Sequence, residues 1–170
     1  AHVLVDPGAA ALIDELGRGA SLSRRDRSLQ GLPARVLPVA VWHTASLGLD
    51  LWLAAIAQGA SQVWVLLTEE EAPEYRQALQ EQMDVALAVL TGLGYAGQHF
   101  ALLSARDARD LAALDTALRA PAAQTVAKAA TFTVQAEKRA TLDLALDHLL
   151  AQAPSLAEEI KLPAAGSPLG

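Results

Sequence analysis

Four short apolar runs are spaced along the chain, and each is followed by a segment with helical spacing of its apolar residues. The runs cover residues 2–5, 36–41, 62–67 and 100–103. Short runs rich in valine and leucine are typical of β-strands. The second run is apolar on both alternating faces, which predicts a strand covered on both sides. Because proline donates no ladder hydrogen bond, Pro38 predicts that this strand lies at a sheet edge or ends there.

The segments between these runs predict helices. The first covers residues 9–16 and ends at Gly17, and the second covers residues 47–58 with Ser46 as its N-cap. Later helices are predicted from Thr68 through Pro73 to Gly92 or Gly94, from Ser104 to Leu118, and over residues 137–151. Regular alternation of strand and helix favours a parallel sheet with helices on both faces. The fold is therefore predicted to be a three-layer α/β/α domain, flavodoxin-like, with about four parallel strands.

The length and the C-terminal composition predict one domain and a tail. A chain of 170 residues is the size of one ordinary domain. Beyond Pro154 the sequence predicts a frayed helix, and residues 163–170 have the composition of a linker. We expect a single α/β domain over residues 1–153 and a tail or linker after it.

Composition and charge remove several classes of function. Hydrophobic residues make up 52% of the chain, which excludes disorder of the whole chain. The net charge of -6 makes nucleic acid an unexpected partner. There is no cysteine, which removes disulfides, thiolate nucleophiles and Cys-ligated clusters and favours the cytoplasm. No apolar run is long enough for a membrane span, and without an initiator Met or an export signal the chain is expected to be a piece of a longer protein.

Candidate chemistry lies in the turns that follow the strands, because ligands of open parallel sheets bind at the carboxyl ends of the strands. The turns lack the glycine spacings of dinucleotide and phosphate sites. His43, Ser46 and Glu69 could supply a base, a nucleophile and an orienting carboxylate for a small-molecule-binding or hydrolytic site. The competing interpretation is a turn histidine and a helix cap, which the missing G-x-S-x-G favours. The candidate turn surface comprises Trp42, His43, Thr44, Ser46, Thr68 and Glu69, with no catalytic, cofactor or metal residue assigned.

Other conspicuous residues have structural or surface interpretations. Trp52 and Trp64 are expected in the core. Glu137, Lys138 and Arg139 are expected to form a solvated first turn of the last helix. A basic cluster is a candidate docking surface for an acidic partner, and it consists of Arg24, Arg25 and Arg27. A homodimer through the apolar stripe of the last helix is a further expectation; the stripe consists of Leu142, Leu144, Leu146, Leu149 and Leu150.

Residues 34–75, ARVLPVAVWHTASLGLDLWLAAIAQGASQVWVLLTEEEAPEY, resemble the iron–sulfur delta subunit family of methyl-viologen-reducing hydrogenase. The resemblance extends over about residues 34 to 118 and comprises two strands, each followed by a special turn, with a helix that closes at Gly59 between them. In that family, cysteines occupy these turns, and they would fall at His43, Thr68 and Pro73. None of the three is cysteine here, so the resemblance implies the scaffold without its redox ligands.

The same arrangement, with the helix EKRATLDLALDHLL over residues 137–150 and the Pro/Gly tail, is similar to an internal domain of bacterial 4Fe-4S ferredoxin-type proteins. In those proteins a cysteine-rich cassette follows such a tail. The resemblance implies a cluster-free docking or spacing domain of an electron-transfer protein. It implies no cofactor in this chain, 4Fe-4S clusters in the longer protein, and a redox partner protein or the adjacent ferredoxin cassette as partner.

Overall fold

A computed structural model describes residues 2–5, 7–22, 28–42, 47–68, 72–106 and 108–163. The strands are β1 His2–Val5, β2 Leu37–Ala40, β3 Val63–Leu67 and β4 Phe100–Ser104. The helices are α1 Pro7–Leu22, α2 Leu49–Ala57, α3 Pro73–Gly92, α4 Leu111–Ala117, which follows a 3₁₀ turn over Ala108–Asp110, and α5 Lys138–Ala151.

The four strands form one parallel sheet in the order β2-β1-β3-β4. Side chains of α1 and α4 pack against one face of the sheet, and those of α2, α3 and α5 pack against the other. The three-layer α/β/α prediction is therefore confirmed, and the strand order is that of the flavodoxin-like arrangement. Among the described residues, no helix is long and apolar enough to cross a membrane.

β3 lies in the centre of the core, and all five of its residues are buried. Its alternating side chains divide between the two layers: Val63 and Val65 pack with α2, α3 and α5, whereas Trp64 packs with α1 and α4. Trp52 of α2 is also completely buried. The prediction that Trp52 and Trp64 belong to the core is confirmed.

β2 is an edge strand, as Pro38 predicts, but it is not covered on both sides. Three of its four residues are exposed, Leu37 to 56%. Val41 donates its N–H to Val5 of β1, so in a parallel ladder the alternate positions Pro38 and Ala40 direct their backbone groups away from the sheet. The prediction that β2 is covered on both faces is wrong, because a hydrophobic pattern cannot distinguish an inner strand from an edge strand whose faces are exposed.

Two helix boundaries differ from the sequence prediction. α1 continues past Gly17 to Leu22. Leu29 packs over Gly19, where a Cβ would lie 2.7 Å from the Leu29 side chain, so tertiary packing occupies the space that the glycine leaves open. α2 begins at Leu49 with Gly48 at the N-cap, which displaces Ser46 from the predicted capping position.

The buried face of α5 is made of smaller residues than the predicted leucine stripe. Thr141, Ala145 and Leu149 are buried, whereas Leu144 and Leu150 are exposed to 38% and 53%. α2 and α5 are neighbours in the same layer. The predicted stripe is therefore wrong in part, because the close approach of two helices selects the small side chains for the contact.

Residues 120–135 cross the amino edge of the sheet as a packed loop, without forming a helix or strand. Polar side chains just before β3 and β4 form hydrogen bonds with backbone carbonyl groups of this loop. Gln62 Nε2 donates to Pro121 O at 2.9 Å, and His99 Nε2 lies 3.0 Å from Gln124 O. His99 is completely buried there.

The chain after α5 packs back against the C-terminal end of α3. Ala157 donates its N–H to Gly92 O at 2.9 Å, and Ile160 lies directly against Gly92. The first part of the predicted tail, through residue 163, therefore contacts the domain. Residues 164–170, where the linker composition is strongest, lie outside the described residues.

Candidate functional site

The carboxyl ends of the strands bring together several of the residues that sequence singled out. Trp42 follows β2 and has 94% of its side chain exposed, whereas Thr68 follows β3 and is half-buried. Pro73 is the first residue of α3 and is exposed. Arg76, one turn into α3, donates a hydrogen bond to Ser104 Oγ at the end of β4. We call this edge of the sheet the carboxyl rim.

The remaining candidate residues lie outside the part of the chain that the structure describes. They are His43, Thr44, Ser46 and Glu69 of the candidate turn surface and Arg24, Arg25 and Arg27 of the candidate docking cluster. The arrangement of His43, Ser46 and Glu69 as base, nucleophile and orienting group stays a prediction.

An ion pair organises the turn after β4. Arg106 Nε lies 3.0 Å from Asp110 Oδ2, and the same oxygen accepts the Arg106 backbone N–H at 2.8 Å. The Asp110 carboxylate therefore fixes the backbone of the loop that leads into the 3₁₀ turn. The pair is exposed, so its net contribution to stability is small.

A cleft of about 460 Å³ opens between the N-terminal turns of α2 and α5 and the middle of α3. α2 follows the carboxyl end of β2, so its N-terminus faces the carboxyl rim. The charged and amide side chains of the cleft come from all three helices. They are Asp50 of α2, Gln82 of α3, and Lys138, Arg139 and Asp143 of α5.

Asp50 is the unusual member of this cleft. Its residue is only 8% exposed, yet no described residue donates a hydrogen bond to its carboxylate or forms an ion pair with it. Its Oδ1 lies 2.9 Å from the position that a Cβ on Gly48 would take, and Gln82 Oε1 lies 3.5 Å from the same point. Two acceptor oxygens therefore approach the same glycine of the helix N-cap.

The α5 wall of the cleft carries two basic side chains and one acidic one, Asp143. Lys138 and Arg139 are exposed, as predicted for a solvated first turn, but both also line the cleft. The first turn of α5 contains no acidic residue, and the N-cap Glu137 makes no side-chain capping bond. Two cations therefore lie at the positive end of the helix dipole, an arrangement that is locally unfavourable and favours a bound anion.

Sequence reasoning passed over this cleft. An acidic residue, Asp50, inside an otherwise apolar helix is the one signal in the sequence that could have indicated it. Gln82 has no signal in the sequence, because its place beside Gly48 depends on how α3 packs against α2.

Metal ligands are not grouped in the part of the chain that is described: no three His, Asp or Glu side chains there approach one another closely enough to bind one ion. Comparison of the chain with protein-family models, with curated proteins and with solved structures finds no match.

Proposed function

We propose that this chain is a cluster-free docking or spacing domain of a 4Fe-4S ferredoxin-type electron-transfer protein. The observation that supports the proposal most directly is the exposure of Trp42 at the carboxyl rim. It precedes His43, the position at which the resembled family has a cysteine. Large aromatic side chains that are left in water are typical anchors of protein interfaces.

A second feature of the same edge supports a docking role. Leu37 and Trp42 frame the outer strand β2, and both are exposed. The partner in this proposal is a redox protein or an adjacent ferredoxin cassette, in the cytoplasm, and the predicted basic cluster of Arg24, Arg25 and Arg27 steers an acidic partner. Attraction of this kind raises the association rate at low ionic strength.

The first test asks whether the longer protein carries clusters. Iron and acid-labile sulfide are measured on the purified protein of native length, with the expectation of 4Fe-4S clusters in the part outside these residues. A protein of native length without iron or sulfide would contradict the proposal.

The second test asks whether this domain contacts the partner. Reversal of Arg24, Arg25 and Arg27 to glutamate, or Trp42→Ala, should slow electron transfer to the partner about tenfold at low salt. Arg18→Glu is the matched control, because Arg18 is an exposed arginine on α1 outside the cluster. Equal rates for all variants at every ionic strength would refute docking through this surface.

The rival proposal is a small-molecule-binding or hydrolytic domain with its site around His43, Ser46 and Glu69. The cleft beside Asp50 favours the binding part of this alternative, because it opens at the N-terminus of α2, a few residues after Ser46. Esterase activity that is lost in both His43→Ala and Ser46→Ala would support the hydrolytic part, and no turnover of activated esters would exclude it.

A further inference from the structure

Asp50 is a largely buried acidic residue whose carboxylate is available to a ligand in the cleft. Asp50 lies in the first turn of α2, where the helix dipole favours a negative charge. An aspartate whose only role is to interact with the helix dipole is ordinarily exposed to water. Asp50 as a whole residue is only 8% exposed, and no described residue donates a hydrogen bond to its carboxylate.

Gln82 defines what kind of group fits beside Asp50. Its Oε1 and Asp50 Oδ1 both lie near the Gly48 backbone, and neither accepts a hydrogen bond from a described residue. A primary ammonium group has three N–H donors and a positive charge, so it satisfies two neighbouring acceptors, one of them anionic.

The α5 wall defines the other end of the ligand. The Arg139 side chain has no hydrogen-bond or ion-pair partner among the described residues, although Asp143 lies one turn away. With Lys138 beside it and the N-terminus of α5 beneath, this wall attracts a carboxylate. The cleft therefore combines the anionic Asp50 of α2 with two cationic side chains of α5, and a zwitterion could contact both.

We propose that the cleft between α2, α3 and α5 binds an α-amino acid with an aliphatic side chain. The ammonium group contacts Asp50 and Gln82, the carboxylate contacts Arg139 and Lys138, and the side chain packs between Leu49 and Leu142, the two apolar residues of the lining. A volume of about 460 Å³ accommodates a molecule of this size. The site goes beyond the electron-transfer proposal and requires no cluster.

Binding is tested on the complete 170-residue chain by calorimetric titration with each of the twenty protein amino acids. We expect saturable binding that is tightest for leucine, isoleucine or valine. Two leucine analogues that each lack one charged group test the two ends of the ligand separately. 4-Methylpentanoate lacks the ammonium group, and 3-methylbutylamine lacks the carboxylate. Each should bind about tenfold or more weakly than leucine, because each loses charge-assisted hydrogen bonds.

Three variants test whether leucine binds in the cleft. Asp50→Asn keeps the shape but removes the charge, and Arg139→Gln removes the exposed cation. Both should weaken leucine binding about tenfold or more. Asp147→Asn, on an exposed position of α5 outside the cleft, should bind leucine like the wild type.

The unfolding midpoints of the ligand-free variants show whether a variant has lost binding alone or has also lost its fold. Asp50→Asn removes a largely buried charge but also its favourable interaction with the α2 dipole, so the unfolding midpoint should lie close to that of the wild type. The proposal is overturned if none of the twenty amino acids binds saturably up to millimolar concentrations, or if Asp50→Asn binds leucine as tightly as the wild type does. Neither result would affect the test for clusters in the longer protein.

Discussion

At the scale of the residue, the polar groups buried inside the domain explain how its loops are fixed. Asp115 is 5% exposed and accepts the backbone N–H groups of Gln30 and Gly31, while Arg119 donates to Asp115 and to Gly31 O. This network joins α4 to a loop more than eighty residues earlier in the chain. Asp115 can remain buried because its carboxylate oxygens accept hydrogen bonds from these donors.

His99 makes a prediction about pH. Burial lowers the pKa of His99 below its ordinary value of 6.5, and the hydrogen bond to the Gln124 backbone opposes this only in part. The unfolded chain therefore binds a proton on this residue at a higher pH than the folded chain does. The free energy of unfolding should be fully retained above pH 6.5 and fall as the pH drops below it, with a slope of at most about 1.4 kcal/mol per pH unit.

The measurement is urea unfolding at a series of pH values between 5 and 8, and His99→Gln should remove this part of the slope. Tyr95→Phe is the control, because Tyr95 contacts the His99 ring and donates to Leu149 O. Its loss should lower stability by about 1 kcal/mol while leaving the slope unchanged. A slope that persists in His99→Gln would refute the assignment.

At the scale of the element, glycine at the end of α3 allows the tail to pack. A Cβ on Gly92 would lie 2.5 Å from Ile160 Cγ1 and 2.8 Å from its Cδ1. Gly92→Ala should therefore displace the segment after α5, and proteolysis at the exposed Lys161 should become faster.

Gly17→Ala is the matched control for this helix substitution. No atom within 4 Å would meet the new Cβ at Gly17, so alanine there should stabilise α1 by about 0.5–1 kcal/mol. Its cleavage rate at Lys161 should match the wild type. If Gly92→Ala is cleaved at the wild-type rate, Ile160 does not hold the tail on α3.

At the scale of the whole molecule, the outer edge of β2 exposes backbone groups and apolar side chains together. Pro38 has no N–H to offer a neighbouring strand, and prolines on edge strands protect against edge-to-edge pairing. Pro38→Val should therefore increase self-association above the wild-type level, as measured by sedimentation at several concentrations. The double variant Pro38→Val with Ala40→Lys places a charge on the same edge and should reverse the increase. Unchanged sedimentation of Pro38→Val would show that the edge is protected in another way.

The homodimer expected through the last helix can be examined in the same experiment. Leu144 and Leu150 leave an exposed apolar face on α5, although the predicted stripe is otherwise partly buried. This dimer stays a prediction, and sedimentation of the wild-type chain gives its reference value.

The sequence by itself determined the layered α/β architecture, the buried tryptophans of α2 and β3, and the position of β2 at an edge. These features follow from local hydrophobic periodicity and from the missing N–H of proline, both of which act over a few neighbouring residues. Only the tertiary structure decided the extension of α1, the small-residue face of α5, and the cleft that joins Asp50 to Gln82 and Arg139. Each of these depends on which distant segments become neighbours, because burial and charge pairing are set by contacts between elements and not by spacing along the chain.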